Sequence, residues 1–141
     1  MPLYRTGALL RRFGGDIASN TLAAGVVRIG RAVQPVINLL RDHLLDSELI
    51  YGDETTVQVL KEPGRKAQTK SYMWAQMNGT GPPVRLFAYA PGRGAVHAEK
   101  LYAGIRAGTA LVTDGYEVYN GIAKAGGLTH LGCWVHARRP F

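Results

Sequence analysis

The chain has 141 residues, 46% of them apolar, with seventeen Lys and Arg against ten Asp and Glu and a net charge of +7; this bounds it to one main domain, with room for a small appendage and enough apolar content for a core. A single cysteine, Cys133, excludes an internal disulfide framework and fits a reducing compartment. No stretch is long and apolar enough to span a bilayer, and arginines interrupt the apolar run of MPLYRTGALLRRFGG, so a signal-peptide layout is excluded and a cytoplasmic protein without a membrane partner is expected.

The first 48 residues read as helical. Leu9, Leu10 and Phe13 form a short apolar side that Gly14-Gly15 ends. Ser19 or Asn20 is expected to cap a second helix with Leu22, Val26 and Ile29 along one side. Val33, Val36, Ile37, Leu40 and Leu44 then keep helical spacing, and Pro35 among them calls for a kink or a fresh start. From Leu49 the character changes. LIYGDETTVQVL, SYMWAQMN and VRLFAYA read as three strands, separated by the basic loop KEPGRKAQTK and by a turn at Asn78-Gly79. HAEKLYAGIRA reads as a helix with Ala98, Leu101, Tyr102 and Ile105 on its inner face, and TALVTD as a fourth strand. YEVYNGIAKAG reads as a helix closed by Gly126-Gly127, and LTHLGCWV as a fifth strand. Three consecutive strands followed by crossover connections predict an α/β fold: a mixed five-stranded sheet with helices on its faces, preceded by a helical segment. The domains are expected at 1–48 and 49–141.

Asp53 and Asp114 each stand where an apolar strand-like run ends, in LIYGDET and TALVTDGY. A carboxylate there costs solvation energy unless something compensates it, and a divalent metal is one such compensator. Two carboxylates converging from two strand ends are what metal-assisted phosphoryl transfer needs. The basic surplus travels with them: six basic against four acidic residues before Leu49, eleven against six from there on. Such a surplus suits a polyanion such as nucleic acid, and equally a basic protein without a specific partner.

The order strand, strand, strand, helix, strand, helix, strand is that of the ribonuclease-H-like fold, whose first acid lies on the first strand and whose second lies at the end of the fourth. Four segments go further: PLYR (2–5), DETTVQVL (53–60), DGYEVYN (114–120) and CWVHARRPF (133–141) resemble transposases of the insertion-sequence family numbered sixty-six, as does the PGRG loop at 91–94. The resemblance covers nearly the whole chain as a middle slice of a longer protein. It implies a DDE-type transposase, in which two Mg²⁺ ions (or Mn²⁺) about 3.5–4 Å apart bridge the scissile phosphate. It implies Asp53 and Asp114 as the first and second metal-binding catalytic acids. The partners implied are DNA, both transposon ends and target, and a second copy of the chain, with no small-molecule substrate, in a bacterial, nucleoid-associated setting. Glu54 alternates with Asp53 along a strand and so points to the other face, as a structural group, while Thr55 returns to the Asp53 face.

Several groups carry two readings. His136, Arg138 and Arg139 follow the fifth strand, where they can hold phosphate or form a solvated basic end. Arg93 in its glycine-flanked loop can approach DNA or serve as a turn residue. Arg65 and Lys66, with Lys61 and Lys70, make the densest basic cluster, either a phosphate contact or a solvated loop. Cys133 and His136 have Cys-x-x-His spacing without a second pair, which favours a small buried thiol over zinc. Tyr116, Tyr119 and Trp134 can stack on bases, and core positions are the favoured assignment. Residues 14–30 can form a helix-turn-helix, with a helical brace as the favoured assignment.

The family's third acid, a Glu on a later helix, is not present, Pro140 disfavours the helix that would carry it, and Glu117 is expected to face outward. We therefore expect the C-terminal part of the fold to be missing, an inactive fragment with only two of three metal ligands, and open apolar surface prone to self-association. The alternatives are a non-catalytic DNA-binding remnant of a mobile element and an unrelated nuclease that cuts without joining.

Overall fold

The computed structural model of the chain describes residues 2–138, so Arg139 and Pro140 lie outside the described residues. The chain divides into two compact units, the first ending at Leu39 and the second beginning at Leu40, a boundary that falls inside a helix.

The first unit holds helices α1 (Leu3–Arg12) and α2 (Ser19–Ala32) and the start of α3 (Gln34–Leu45). Gly14, at φ +81°, lets the chain leave α1, and the Gly15 N–H closes back on the Leu10 carbonyl at 3.0 Å. The N-cap of α2 is Ala18, with no side-chain cap, and not Ser19 or Asn20. The Ala18 carbonyl already accepts from Thr21 and Leu22, which places Ser19 inside the first turn. Val26 and Ile29 on α2 are more than half exposed, so the inner side expected there is not formed. At Pro35 the chain starts afresh: α2 stops at Ala32 and α3 opens at Gln34, with the proline in its first turn, where a missing N–H costs nothing.

The second unit is built on a five-stranded sheet of β1 (Leu49–Gln58), β2 (Lys70–Asn78), β3 (Arg85–Ala90), β4 (Ala110–Thr113) and β5 (Thr129–Gly132), in the order β3-β2-β1-β4-β5. The first three strands form an antiparallel meander, and β4 and β5 run parallel to β1. Helix α4 (Ala95–Tyr102) crosses from β3 to β4, and α5 (Val118–Gly126) crosses from β4 to β5. Gly127, at φ +61°, terminates α5 in the left-handed conformation that glycine supplies without penalty.

Strand alternation sorts the residues onto two faces. One face carries Ile50, Trp74 and Leu111, which form the core with Ala98 and Tyr102 of α4 and Tyr119 and Ile122 of α5. The other face carries Tyr51, Phe87, Tyr89 and Leu131, all exposed to a large degree. The β1–β2 pairing runs on to Gln58 and Lys70, whereas the β1–β4 pairing stops at Tyr51 and Val112. The β1–β2 hairpin therefore projects past the parallel strands and carries the basic loop at its tip.

One expected element differs. The fifth strand ends at Gly132, and Trp134–Arg138 form a short helix, α6, instead of continuing the strand. The Cys133 N–H bonds to the Thr113 carbonyl at 2.8 Å, and the Cys133 carbonyl accepts from His136 and Ala137, which turns the chain there. Trp134 is consequently 86% exposed and is not a core residue.

Candidate active site

The parallel ladder sets Leu49 against Ala110, Ile50 against Leu111 and Tyr51 against Val112. Two further steps bring Asp53 level with Asp114, just past the last pair. The intermediate step holds as well, because the Thr113 methyl lies 3.4 Å from where a Cβ on Gly52 would stand. Asp53 is not at the end of β1 but in its middle, at the point where β4 no longer covers its flank.

The two acids are held differently. Asp53 is half exposed and accepts the backbone N–H of Glu54 on Oδ1 at 2.9 Å. Its Oδ2 lies 3.6 Å from His136 Nε2 on α6. Asp114 is less exposed. Its Oδ1 accepts the Tyr116 N–H at 3.0 Å, and its Oδ2 lies 3.2 Å from Arg93 Nη2. Behind it, Thr113 Oγ1 meets His130 Nε2 at 2.7 Å, and His130 Nδ1 meets Asn120 Oδ1 at 2.8 Å, which ties the end of β4 to β5 and α5.

Glu54 lies on the opposite face from Asp53, as strand alternation requires, and its side chain is fully buried. Burying a carboxylate is costly unless it is paired and hydrogen-bonded. Arg93 Nε and Nη2 lie 2.6 and 2.5 Å from Glu54 Oε1, and the Tyr119 hydroxyl donates to Oε2 at 2.5 Å. Arg93 also stacks on the Tyr116 ring, 3.8 Å from its centroid, and the Tyr116 hydroxyl donates to the Arg93 carbonyl at 2.9 Å. Burial pulls the Arg93 guanidinium down in pKa, but the hydrogen bond and charge of Glu54, with the charge of Asp114, outweigh it and leave the value raised. Burial pushes the Tyr119 hydroxyl well up, helped by the neighbouring Tyr102, by its hydrogen bond to Glu54 and by the Glu54 and Asp114 charges. The role of Glu54 as the partner of Arg93 was not foreseen. Its signal was the Asp-Glu pair itself, since adjacent acids on a strand must face two environments.

The remaining sequence candidates are dispersed around this centre. His136 lines a cavity of about 400 Å³ with Asp114, Gly115, Cys133 and Trp134. It also lines a groove of about 350 Å³ with Asp53, Tyr51 and Phe87. Arg138 is exposed on the last turn of α6, and Arg139 lies outside the described residues. Lys66 is exposed in the hairpin loop. Arg65 in that loop is engaged internally: its Nη1 lies 3.1 Å from Glu62 Oε2 and 2.9 Å from Ser71 Oγ, and its Nη2 donates to the Lys70 carbonyl at 3.1 Å. Tyr119 is a core residue and Tyr116 is half-buried. Cys133 is half-buried, and Glu117 is exposed.

Among the described residues, no group of three or more His, Cys, Asp and Glu side chains is placed to hold a metal ion. The oxygen-only pair of Asp53 and Asp114 nevertheless suits a hard divalent ion, because Mg²⁺ is ordinarily held by one or two carboxylates together with phosphate oxygens and water. Among the described residues, no helix is long and apolar enough to cross a membrane.

The sequence profile of the Transposase IS66 family matches residues 1–141. Two relatives come from Sinorhizobium fredii. The uncharacterized protein y4qI is 31% identical over all of this chain and 28% of its own length, and the uncharacterized protein y4hP is 31% identical over 99% of this chain and 26% of its own. The chain thus spans roughly a quarter of the length of the curated relatives it matches. No solved structure matches it.

Proposed function

This chain belongs to the Transposase IS66 family, and from that membership we propose that its second unit is a ribonuclease-H-like domain in which Asp53 and Asp114 serve metal-assisted phosphoryl transfer on DNA. The observation that carries the proposal is the common register position of the two acids on neighbouring parallel strands. The strand order β3-β2-β1-β4-β5, antiparallel and then parallel, supports the fold assignment.

Asp53 and Asp114 would hold Mg²⁺ or Mn²⁺. Such an ion, when bound, activates water or a 3′-hydroxyl and stabilises the leaving oxygen. The chain's own part is to orient the carboxylates and to receive the DNA backbone. The Tyr116 N–H and the guanidinium of Arg93 orient Asp114, and the Glu54 N–H orients Asp53. Lys66 at the hairpin tip and His136 and Arg138 on α6 lie on the same end of the parallel strands as the acids, where they would neutralise phosphates, while Arg65 beside Lys66 is held by Glu62. With no third His, Cys, Asp or Glu grouped with Asp53 and Asp114 to hold an ion among the described residues, we propose that these residues by themselves hold the metal weakly and give little or no strand transfer.

The test is Mn²⁺ binding by electron paramagnetic resonance, with plasmid nicking followed in the same samples. Weak binding that Asp53→Asn and Asp114→Asn each abolish is expected. Equal binding in all three proteins overturns the metal site. DNA affinity that falls steeply with salt, ignores the metal and survives both substitutions selects a non-catalytic DNA-binding role, the alternative that the net charge of +7 favours.

A further inference from the structure

We propose that Arg93 is a resident cation at Asp114, latched there by the buried Glu54, and that Glu54 is thereby a positioning residue for the acid. Arg93 has this role only if Asp114 is a metal ligand, as proposed above.

The contacts rank themselves. Glu54 has both oxygens engaged, Oε1 by Arg93 and Oε2 by Tyr119, with its side chain fully buried. Being fully buried it is not open to an ion from solvent, and it cannot release Arg93 without leaving an uncompensated buried charge. Asp114 holds the same Nη2 that Glu54 holds, but by one longer contact, 3.2 Å against 2.5 and 2.6 Å on the Glu54 side. The Tyr116 ring and hydroxyl fix the rest of Arg93 in place.

A divalent ion approaching Asp114 therefore meets a side chain with both oxygens already engaged. The Tyr116 N–H can remain, because a carboxylate oxygen accepts more than one contact. The guanidinium cannot share Oδ2 with a second cation without like-charge repulsion. It is the weaker of the two Arg93 contacts that must yield, and the Glu54 side keeps the arginine anchored as it does so. Arg93 thus fills the place of the ion's charge before the ion arrives, keeps Asp114 oriented, and sets how tightly the metal is held. Glu54 limits how far Arg93 commits to Asp114. With Glu54 neutralised, the full charge of Arg93 falls to Asp114 alone.

Opposite signs test the latch. Mn²⁺ binding to the 141-residue chain is measured for the wild type, Glu54→Gln, Arg93→Lys and the double variant Glu54→Gln/Arg93→Gln, each checked for folding by circular dichroism. Glu54→Gln should bind about tenfold more weakly, the scale seen when groups that orient metal ligands are removed. The double variant and Arg93→Lys should bind about threefold more tightly than the wild type, because the competing Nη2 contact at Asp114 is gone. A role confined to bracing the fold would loosen Asp114 and weaken binding in all three variants, and that outcome overturns the proposal. If Glu54→Gln does not fold, Arg93→Lys decides by the sign of its change. A wild type whose binding is absent, or unaffected by Asp114→Asn, marks failure of the metal site itself, and the latch falls with it; the Asp114→Asn control separates that result from failure of the latch alone.

Discussion

Asp53 and Asp114 stand level across two parallel strands because the ladder that sets Tyr51 against Val112 runs on in step to both acids. Neighbouring strands lie about 4.8 Å apart, so a register match makes neighbours of residues remote in the chain. It does not by itself aim the two carboxylates at one point. Asp53 faces His136 of α6, 3.6 Å away, while Asp114 is drawn by Arg93 toward the buried Glu54.

That register depends on a close approach at Gly52. The Tyr102 hydroxyl occupies the place where a Cβ at residue 52 would stand, with the Tyr102 ring carbon and the Thr113 methyl at 3.3 and 3.4 Å. Tyr102 is 3% exposed and has a stiff ring, so it cannot swing aside. Gly52→Ala should destabilise the chain by about 1–3 kcal/mol, the usual scale of overpacking. Gly52→Ala/Tyr102→Phe should recover most of that loss in urea unfolding, because only the hydroxyl is in the way.

Two aromatic residues should respond very unequally to truncation. Tyr119→Phe removes a donor from the buried Glu54 carboxylate and should cost about 1.5–3 kcal/mol. Trp134→Ala should change stability by less than about 0.5 kcal/mol, since the ring is 86% exposed. Thermal unfolding of the two variants side by side reads the contrast.

Trp134 also marks the limit of what local pattern can tell. The strand order and the mixed sheet were legible because apolar runs, turn residues and helical spacing alternate cleanly from Leu49 onward. Leu-Gly-Cys-Trp-Val continues a strand by composition alone, and only the turn made by the Cys133 carbonyl, accepting from His136 and Ala137, ends it. Ser19 failed as a cap for a similar reason, since capping depends on which carbonyl closes the first turn and not on the presence of a hydroxyl. The two aspartates were legible as acids ending apolar runs. The Glu54–Arg93 pair was not, because 39 positions separate its members and nothing in either segment names the other.

The open face of the sheet should drive self-association. Phe87 and Tyr51 line a groove of about 350 Å³ and are 69% and 38% exposed, and exposed apolar patches of this kind favour contact with a second surface. Phe87→Ser should raise the monomer fraction in sedimentation velocity at equal protein concentration. An unchanged distribution means that this face is not where copies meet.

Alkaline stability should be limited by two tyrosines. Burial holds the Tyr119 hydroxyl far above the ordinary value of 10.0, and burial together with the Glu54 and Asp53 charges does the same for Tyr102, against a lowering by the Gln76 contact. A pKa raised in the folded state gives stability that is complete below the ordinary value and is lost as pH rises beyond it. Unfolding free energy should therefore fall above about pH 10. Ultraviolet difference absorbance should show Tyr102 and Tyr119 ionising only together with the loss of the fold.

The basic hairpin loop has the opposite dependence. Glu62 accepts from the Tyr89 hydroxyl, from Ser71 Oγ at 2.7 Å and from Arg65 Nη1 at 3.1 Å. The Tyr89 and Ser71 hydrogen bonds, then Arg65, lower its pKa from the ordinary 4.5 despite partial burial. A lowered carboxylate pKa gives stability that is present above the ordinary value and lost as pH falls through the lowered one. Protonating Glu62 releases Arg65 and weakens the Tyr89 hydrogen bond that ties the loop to β3, so Glu62→Gln should reproduce at neutral pH what acid does to the wild type. Hydrogen exchange over residues 61–70 should be faster in Glu62→Gln than in the wild type at neutral pH, and the two proteins should converge as acid protonates Glu62. If the loop exchanges equally fast in both at neutral pH, Glu62 does not order it, and the projecting hairpin must be held by its β1–β2 ladder alone.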